Sequence, residues 1–209
     1  MTSVPPAEPP RSPIRVAAFV GSALVILALL AFLAAHASPR VKLLGLFPIA
    51  IGALAGVIVA RLCMRHALSR RVTFAAAIVL IPMTLAGYAT ESYRIWRSIK
   101  SNDFANYLHD ELPGGREIFE RLRSGEQPEN EVEAEFLAVY RSRLEPPVSA
   151  YLVERLKNLP FDVPMPWAAA VAATELLAGW IAGVVAVIAM SRGVGSTRDR
   201  PSPLTGGTA

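Results

Sequence analysis

Residues 167–190 read WAAAVAATELLAGWIAGVVAVIAM, an apolar run whose only charged residue is Glu175. A helix needs roughly 20 such residues to cross the hydrocarbon core of a bilayer. Three further runs of similar length and composition lie at residues 16–35, 41–60 and 72–89, and the whole chain is 53% hydrophobic. The sequence therefore predicts an all-α membrane protein with four transmembrane helices.

A polar insert at residues 91–166 separates the third run from the fourth. Tyr93, Trp96 and Ile99 recur at helical spacing, which predicts that the third transmembrane helix continues past the apolar run until Pro113 and two glycines interrupt it. Fourteen acidic and ten basic residues give the insert a net negative charge. We expect it to form a small, all-helical domain.

Three short helices are predicted in the rest of the insert. The first ends at Gly125, the second has Pro128 in its first turn, and Pro146 with Pro147 separates the second from the third. The second helix carries one apolar stripe that we expect to be covered: Val132, Phe136, Leu137, Tyr140 and Leu144.

Basic residues indicate the orientation of the spans. Residues 61–71, a short segment between the second and third spans, contain four arginines and no acid, as cytoplasmic loops do. This places both termini in the cytoplasm and the insert outside, in a cell inner or plasma membrane. The margin is small, because the inner flanks carry nine basic residues and the outer flanks seven.

Five regions follow from these patterns: a disordered cytoplasmic tail at residues 1–15, transmembrane helices at 16–90, an extracytoplasmic helical domain at 91–166, a fourth transmembrane helix at 167–190 and a disordered cytoplasmic tail at 191–209. The first apolar run ends in an A-x-A tripeptide at residues 35–37, typical of a signal-peptide cleavage site. Its length of about 20 residues exceeds the usual apolar region of a signal peptide, which favours an uncleaved anchor.

No catalytic motif occurs in the sequence. We find no nucleophile motif, phosphate loop or dinucleotide fingerprint, and a single cysteine, Cys63, excludes an intrachain disulfide. His109 lies among acids, but no second histidine or cysteine stands at metal-ligand spacing in the insert. The basic residues cluster beside the spans, which argues against nucleic acid. We therefore predict no enzyme activity, no cofactor, no metal and no nucleic-acid partner.

Glu175 is the candidate ion or proton site. Carboxylates inside a membrane usually face the interior of a helix bundle and mark either a functional path or a polar contact between helices. Small residues surround Glu175 on the helical wheel, while Leu177 and Ile181 fall on the far side. Its candidate partners by depth are Thr84, Tyr88 and Lys42.

Glycines in two spans predict close helix packing. G-x-x-x-G spacing lets two helix backbones approach each other. The glycines concerned are Gly45, Gly52 and Gly56 in the second span and Gly179 and Gly183 in the fourth. Two prolines, Pro48 and Pro82, lie near the depth of Glu175 and offer either helix kinks or the lining of a small polar cavity.

These features favour an accessory, scaffold or assembly protein of the membrane. Its expected partners are the lipid bilayer and other membrane protein subunits, or a second copy of the chain. The alternative is a small transport or proton-coupled module that uses Glu175. A second buried acid or base at Glu175 would favour transport, whereas a sealed contact of small residues would favour the scaffold.

Overall fold

The computed structural model describes residues 13–37, 46–125, 127–128, 130–157 and 163–196. These residues form seven helices and no strand, and the helices are α1 (Pro13–Ala35), α2 (Leu46–Arg65), α3 (Arg70–Asp110), α4 (Gly115–Ser124), α5 (Glu131–Leu144), α6 (Val148–Arg155) and α7 (Met165–Ser196). Four of them, α1, α2, α3 and α7, are long and apolar enough to cross a membrane. The predicted helical class with four long apolar helices is confirmed.

Several helix bounds differ from the prediction, since α1 begins at Pro13, inside the tail predicted at residues 1–15, and α7 begins at Met165. α2 continues to Arg65, beyond the predicted end at residue 60, and α7 continues to Ser196, into the region predicted as a disordered tail. Helix propagation does not require apolar residues, and in this part of α7 the Ser191 hydroxyl donates to the carbonyl of Val187 at 2.7 Å. The start of the second predicted span at residues 41–45 and the tails at 1–12 and 197–209 lie outside the described residues.

The chain divides into two compact units, Met1–Gly87 with Glu175–Ala209, and Tyr88–Thr174. We call the first the bundle unit and the second the insert unit.

In the bundle unit, α1 packs against α2, and small residues fill much of the interior. Ala23 of α1, Ala55 of α2 and Ala77 of α3 are fully buried. The Phe19 and His66 rings meet edge to face at a centroid distance of 6.3 Å. Small interior residues allow helices to approach closely, as they do in membrane bundles.

A tight turn joins α2 to α3. The amide of Leu68 donates to the carbonyl of Cys63 at 2.9 Å, and Ala67 adopts a positive φ of 51°. This left-handed residue with a bond reaching back across it is the usual way to end a helix and reverse the chain. α3 then begins at Arg70, so the four arginines predicted in a loop lie at the two facing helix ends.

α3 is 41 residues long. At 1.5 Å per residue it extends about 62 Å, twice the roughly 30 Å of a hydrocarbon core. Pro82 lies inside α3 without ending it. The predicted continuation of this helix beyond its apolar run is confirmed, and it ends at Asp110, shortly before Pro113.

Glycines and an asparagine set the bounds of the short helices in the insert unit. Gly114 and Gly125 flank α4 with positive φ values of 74° and 70°. The side chain of Asn130 accepts a hydrogen bond from the amide of Glu133 at 2.8 Å and caps α5. The prediction that Pro128 occupies the first turn of this helix is wrong, because α5 begins at Glu131 behind its asparagine cap.

The apolar stripe of α5 is only partly covered. Leu137 is buried, but Val132 is 80% exposed and Phe136 is 41% exposed. The expectation that the whole stripe is covered is therefore wrong. The helix turns Leu137 inward, and Val132 projects from the opposite side at its first turn.

Polar and aromatic contacts join α5 and α6 to the second half of α3. The Tyr93 hydroxyl donates to the carbonyl of Pro146 at 2.9 Å, and the ammonium of Lys100 lies 2.7 Å from the carboxylate of Glu154. The rings of Tyr140 and Phe104 are 5.7 Å apart. Since later residues of α5 contact earlier residues of α3, the two helices run antiparallel.

Candidate functional site: the glycine seam and Glu175

The two G-x-x-x-G faces pack directly against each other. Gly52 of α2 lies against the carbonyl of Gly179 of α7, and Gly56 lies against the carbonyl of Gly183. A methyl group on Gly183 would lie 2.5 Å from the carbonyl oxygen of Gly52, closer than a carbon atom normally approaches an oxygen atom. The two helices therefore touch backbone to backbone. We call this contact the glycine seam.

α3 closes one side of the seam. A methyl group on Gly183 would also lie 2.9 Å from two side-chain carbons of Ile81, and one on Gly179 would lie 3.3 Å from Leu85. Ile81 and Leu85 are both buried. The carbonyl oxygen of Pro48, also buried, lies 2.6 Å from the position that a methyl group on Gly179 would take, which leaves no room there for a side chain or a water molecule.

Glu175 lies one helical turn before Gly179 on α7 and is 6% exposed. Leu177 and Ile181 are exposed, as the helical wheel predicts for the far side of α7. Among the described residues, Glu175 is the only carboxylate, lysine, arginine or histidine side chain that is buried. An ionised carboxylate is costly to bury without polar contacts.

Two of the candidate partners of Glu175, Thr84 and Tyr88, lie on α3. Thr84 is buried, and its hydroxyl donates to the carbonyl of Leu80 in its own helix at 2.8 Å. It lines a cleft of about 150 Å³ between α1 and α3. Tyr88 is buried on α3, where the insert unit begins. Lys42, like Gly45 of the glycine face, lies outside the described residues.

The two prolines differ in exposure. Pro48 is buried at the seam, whereas Pro82 is exposed on α3. A polar cavity lined by both prolines and Glu175 stays a prediction. Within the part of the chain that the structure describes, no group of three histidine, cysteine or acidic side chains is arranged to hold a metal ion.

The insert unit contains an open groove of about 670 Å³ between α3, α5 and α6. Aromatic rings from α3 and the two prolines between α5 and α6 form its walls, with charged groups along them: Trp96, Lys100, Asp103, Phe104, Tyr107, Ser142, Arg143, Pro146, Pro147, Ala150 and Glu154. The Lys100–Glu154 ion pair crosses the groove, and the Arg143 guanidinium lies 5.8 Å from the Phe104 ring centre.

Sequence reasoning missed this groove. The helical spacing of Tyr93 and Trp96 indicated one face of α3, but not what packs against it. In the structure, Tyr151 of α6 completes a cluster with them, at ring distances of 5.8 Å from Tyr93 and 5.4 Å from Trp96. The signal available was the aromatic residue Tyr151 in the short α6 pattern.

Comparisons of the chain with protein-family models, with curated proteins and with solved structures find no match. The functional interpretation therefore depends on the geometry and chemistry of the seam, the buried carboxyl group and the insert surface.

Proposed function

We propose that this chain is an integral membrane accessory, scaffold or assembly protein. The single observation that carries the proposal is the glycine seam, in which α2 and α7 touch backbone to backbone and Ile81 and Leu85 close the adjoining side. A path for an ion needs polar groups along a space between helices. A contact without space for a side chain instead favours a fixed assembly of helices.

The surface of the bundle unit supports a membrane location. Large apolar side chains are exposed along α1, α3 and α7, among them Val25, Leu33, Val79 and Val185. Extended apolar surfaces of this kind are unfavourable in water and indicate a lipid or protein environment. We propose that lipid covers them and that α1, α2, α3 and α7 cross the bilayer.

The proposed orientation has both termini in the cytoplasm and the insert outside, in a cell inner or plasma membrane. Its support is the pair of facing helix ends with Arg61, Arg65, Arg70 and Arg71, and the acidic character of the insert. In this arrangement the groove and the exposed sides of α1, α3 and α7 are available to other membrane subunits, while the glycine seam stabilises the bundle.

Glu175 is proposed to act as a polar contact between helices. Its burial is the observation that favours the alternative, a proton-coupled or transport module. The absence of a second buried carboxylate, lysine, arginine or histidine among the described residues favours the structural role. A proton relay needs further groups to accept and pass on the proton.

Two substitutions at Glu175 distinguish these functions. Glu175→Gln retains the shape and hydrogen-bonding capacity of the side chain, whereas Glu175→Leu removes both. The proposal expects the glutamine variant to unfold in detergent like the wild type and the leucine variant to lose roughly 1 kcal/mol, the scale of hydrogen bonds between membrane helices.

Proton flux supplies the functional measurement. Purified wild type and Glu175→Gln are reconstituted into liposomes that carry a pH-sensitive dye and a pH or voltage gradient. We expect liposomes that contain either protein to show the same slow proton leak as empty liposomes. A flux that the wild type supports and the folded glutamine variant loses would overturn the scaffold function in favour of transport.

A further inference from the structure

The first turns of α5 present an apolar face that is exposed among the described residues. Val132, Phe136 and Val139 are 80%, 41% and 48% exposed and follow one another at the i, i+4, i+7 spacing of one helix face. The Phe136 ring contacts Tyr140 of the same helix, at a centroid distance of 4.4 Å. We call these three residues the α5 face. This pattern is typical of a helix that packs against a second helix.

Charges change sign along this face. Glu131 and Glu135 lie exposed beside its first half. Arg143 follows Val139 by one turn at the other end and is exposed, although its guanidinium also approaches the Phe104 ring. A helix that pairs with the α5 face must therefore bring positive charge to the first half and negative charge to the second half.

We propose that the α5 face binds an amphipathic helix of another protein, antiparallel to α5. Helices commonly carry acids in the first turn and bases in the last, because these charges complement the helix dipole. An antiparallel helix of this ordinary kind places its basic end beside Glu131 and Glu135 and its acidic end beside Arg143. Its apolar residues at the same spacing cover Val132, Phe136 and Val139.

A second copy of the chain fits this surface less well. α5 runs antiparallel to the second half of α3, as the contacts of Tyr140 with Phe104 and of Glu145 with Arg97 demonstrate. In two copies whose second halves of α3 point the same way, the α5 helices would pair in parallel. Acids would then face acids at one end, and arginine would face arginine at the other.

The lipid surface is also a poor occupant. Glu131 and Glu135 border the α5 face, and the insert as a whole carries more acids than bases. Anionic lipid headgroups repel such a surface and attract clusters of Lys and Arg instead. The charge pattern thus selects a protein helix.

The inference rests on the proposed function, since it names the kind of partner that one insert surface of a scaffold takes. The inference can fail while the proposed function stands, because its test measures peptide binding at α5 and involves neither Glu175 nor proton flux.

The test uses the full-length protein in lipid nanodiscs and a labelled synthetic peptide with the sequence of residues 131–144, which has an acidic start, a basic end and the required apolar spacing. Binding is measured by fluorescence anisotropy. Val132→Asp should weaken binding at least tenfold without unfolding the insert, because this side chain is almost free of contacts. The matched control Val148→Asp, at an exposed valine of α6, should change binding less than twofold.

Orientation is read from a photo-crosslinking group at either end of the peptide. The group at the acidic start should attach near Arg143, and the group at the basic end near Glu131. The proposal is overturned if the peptide does not bind measurably, if it binds Val132→Asp as tightly as the wild type, or if it attaches in the parallel orientation.

Self-association is tested with single cysteines in a Cys63→Ala background. Val139→Cys lies on the α5 face, and its neighbour Ala138→Cys is exposed on another side of the same helix. A short bismaleimide should join neither variant into dimers in nanodiscs that contain several copies. Efficient dimers of the Val139 variant alone would overturn the proposal in favour of a second copy as the occupant.

Discussion

Gly183→Ala adds one methyl group at the glycine seam, where the structure leaves no space for it. The new carbon would lie 2.5 Å from the carbonyl oxygen of Gly52, and ordinary contacts begin at 3.4 Å, so these two atoms must move apart by about 0.9 Å. Ile81 cannot easily turn aside, because it is buried and β-branched. A gap of this size forfeits a quarter to a half of each dispersion contact across the seam.

The expected loss is about 1–3 kcal/mol of the free energy of unfolding, as for other overpacked interiors. This loss outweighs the gain of up to about 1 kcal/mol that alanine brings to a helix relative to glycine. Two matched controls isolate the steric effect. A methyl group on Gly87 would meet Ala31 at an ordinary 3.5 Å, and one on Gly21 would meet nothing within 4 Å.

The assay is reversible unfolding of the purified protein in mixed detergent micelles, followed by circular dichroism. Gly183→Ala should unfold at a lower denaturing-detergent fraction than the wild type, and Gly87→Ala and Gly21→Ala at the same fraction or a higher one. The reasoning is refuted if Gly183→Ala is as stable as the two controls, because the seam would then have room that the structure denies it.

Three further outcomes are expected. In a Cys63→Ala background on intact cells, a membrane-impermeant maleimide should label Ser124→Cys at once and Ala67→Cys only after the membrane is opened; the opposite order would contradict the proposed orientation. Tyr93→Phe should cost about 1 kcal/mol through loss of its hydrogen bond to the carbonyl of Pro146, just before α6, measured as faster amide exchange in α6. Asn130→Ala should cost about 1 kcal/mol through loss of the helix cap, and unchanged exchange in the first turn of α5 would count against it.

The long helices were predictable because apolar length is a strong local signal. The residues at which the helices begin and end were harder to predict. Pro128 has the residue type that suits a first turn, yet Asn130 supplies a side-chain acceptor for the Glu133 amide, and the hydrogen bond decides where α5 begins. At the end of α7, the apolar run stops at Met190, but the backbone hydrogen bonds of a helix continue without apolar side chains.

Pairing between distant segments was harder to predict than local structure. The spacing of Gly52 and Gly56, and of Gly179 and Gly183, indicates that each face can approach another helix. It does not identify the opposite helix, which depends on the lengths of the connections and on which surfaces remain. The same holds for the stripe of α5, whose sequence pattern indicates a contact but cannot distinguish a contact within the chain from one with a partner.

The spacing of Glu175 from the two seam glycines makes its role measurable as a coupling between substitutions. Gly179 is four residues away along α7 and Gly183 is eight, or about 6 Å and 12 Å. Effects of substitutions more than about 7–10 Å apart usually add to within about 0.5 kcal/mol, whereas neighbours couple more strongly. If Glu175 is a local polar contact, Glu175→Leu should couple to Gly179→Ala and add independently to Gly183→Ala. Strong coupling to Gly183→Ala would mean that α7 shifts as one body, so that the carboxyl group responds to the whole seam. That response is what a transport module requires and a fixed scaffold does not.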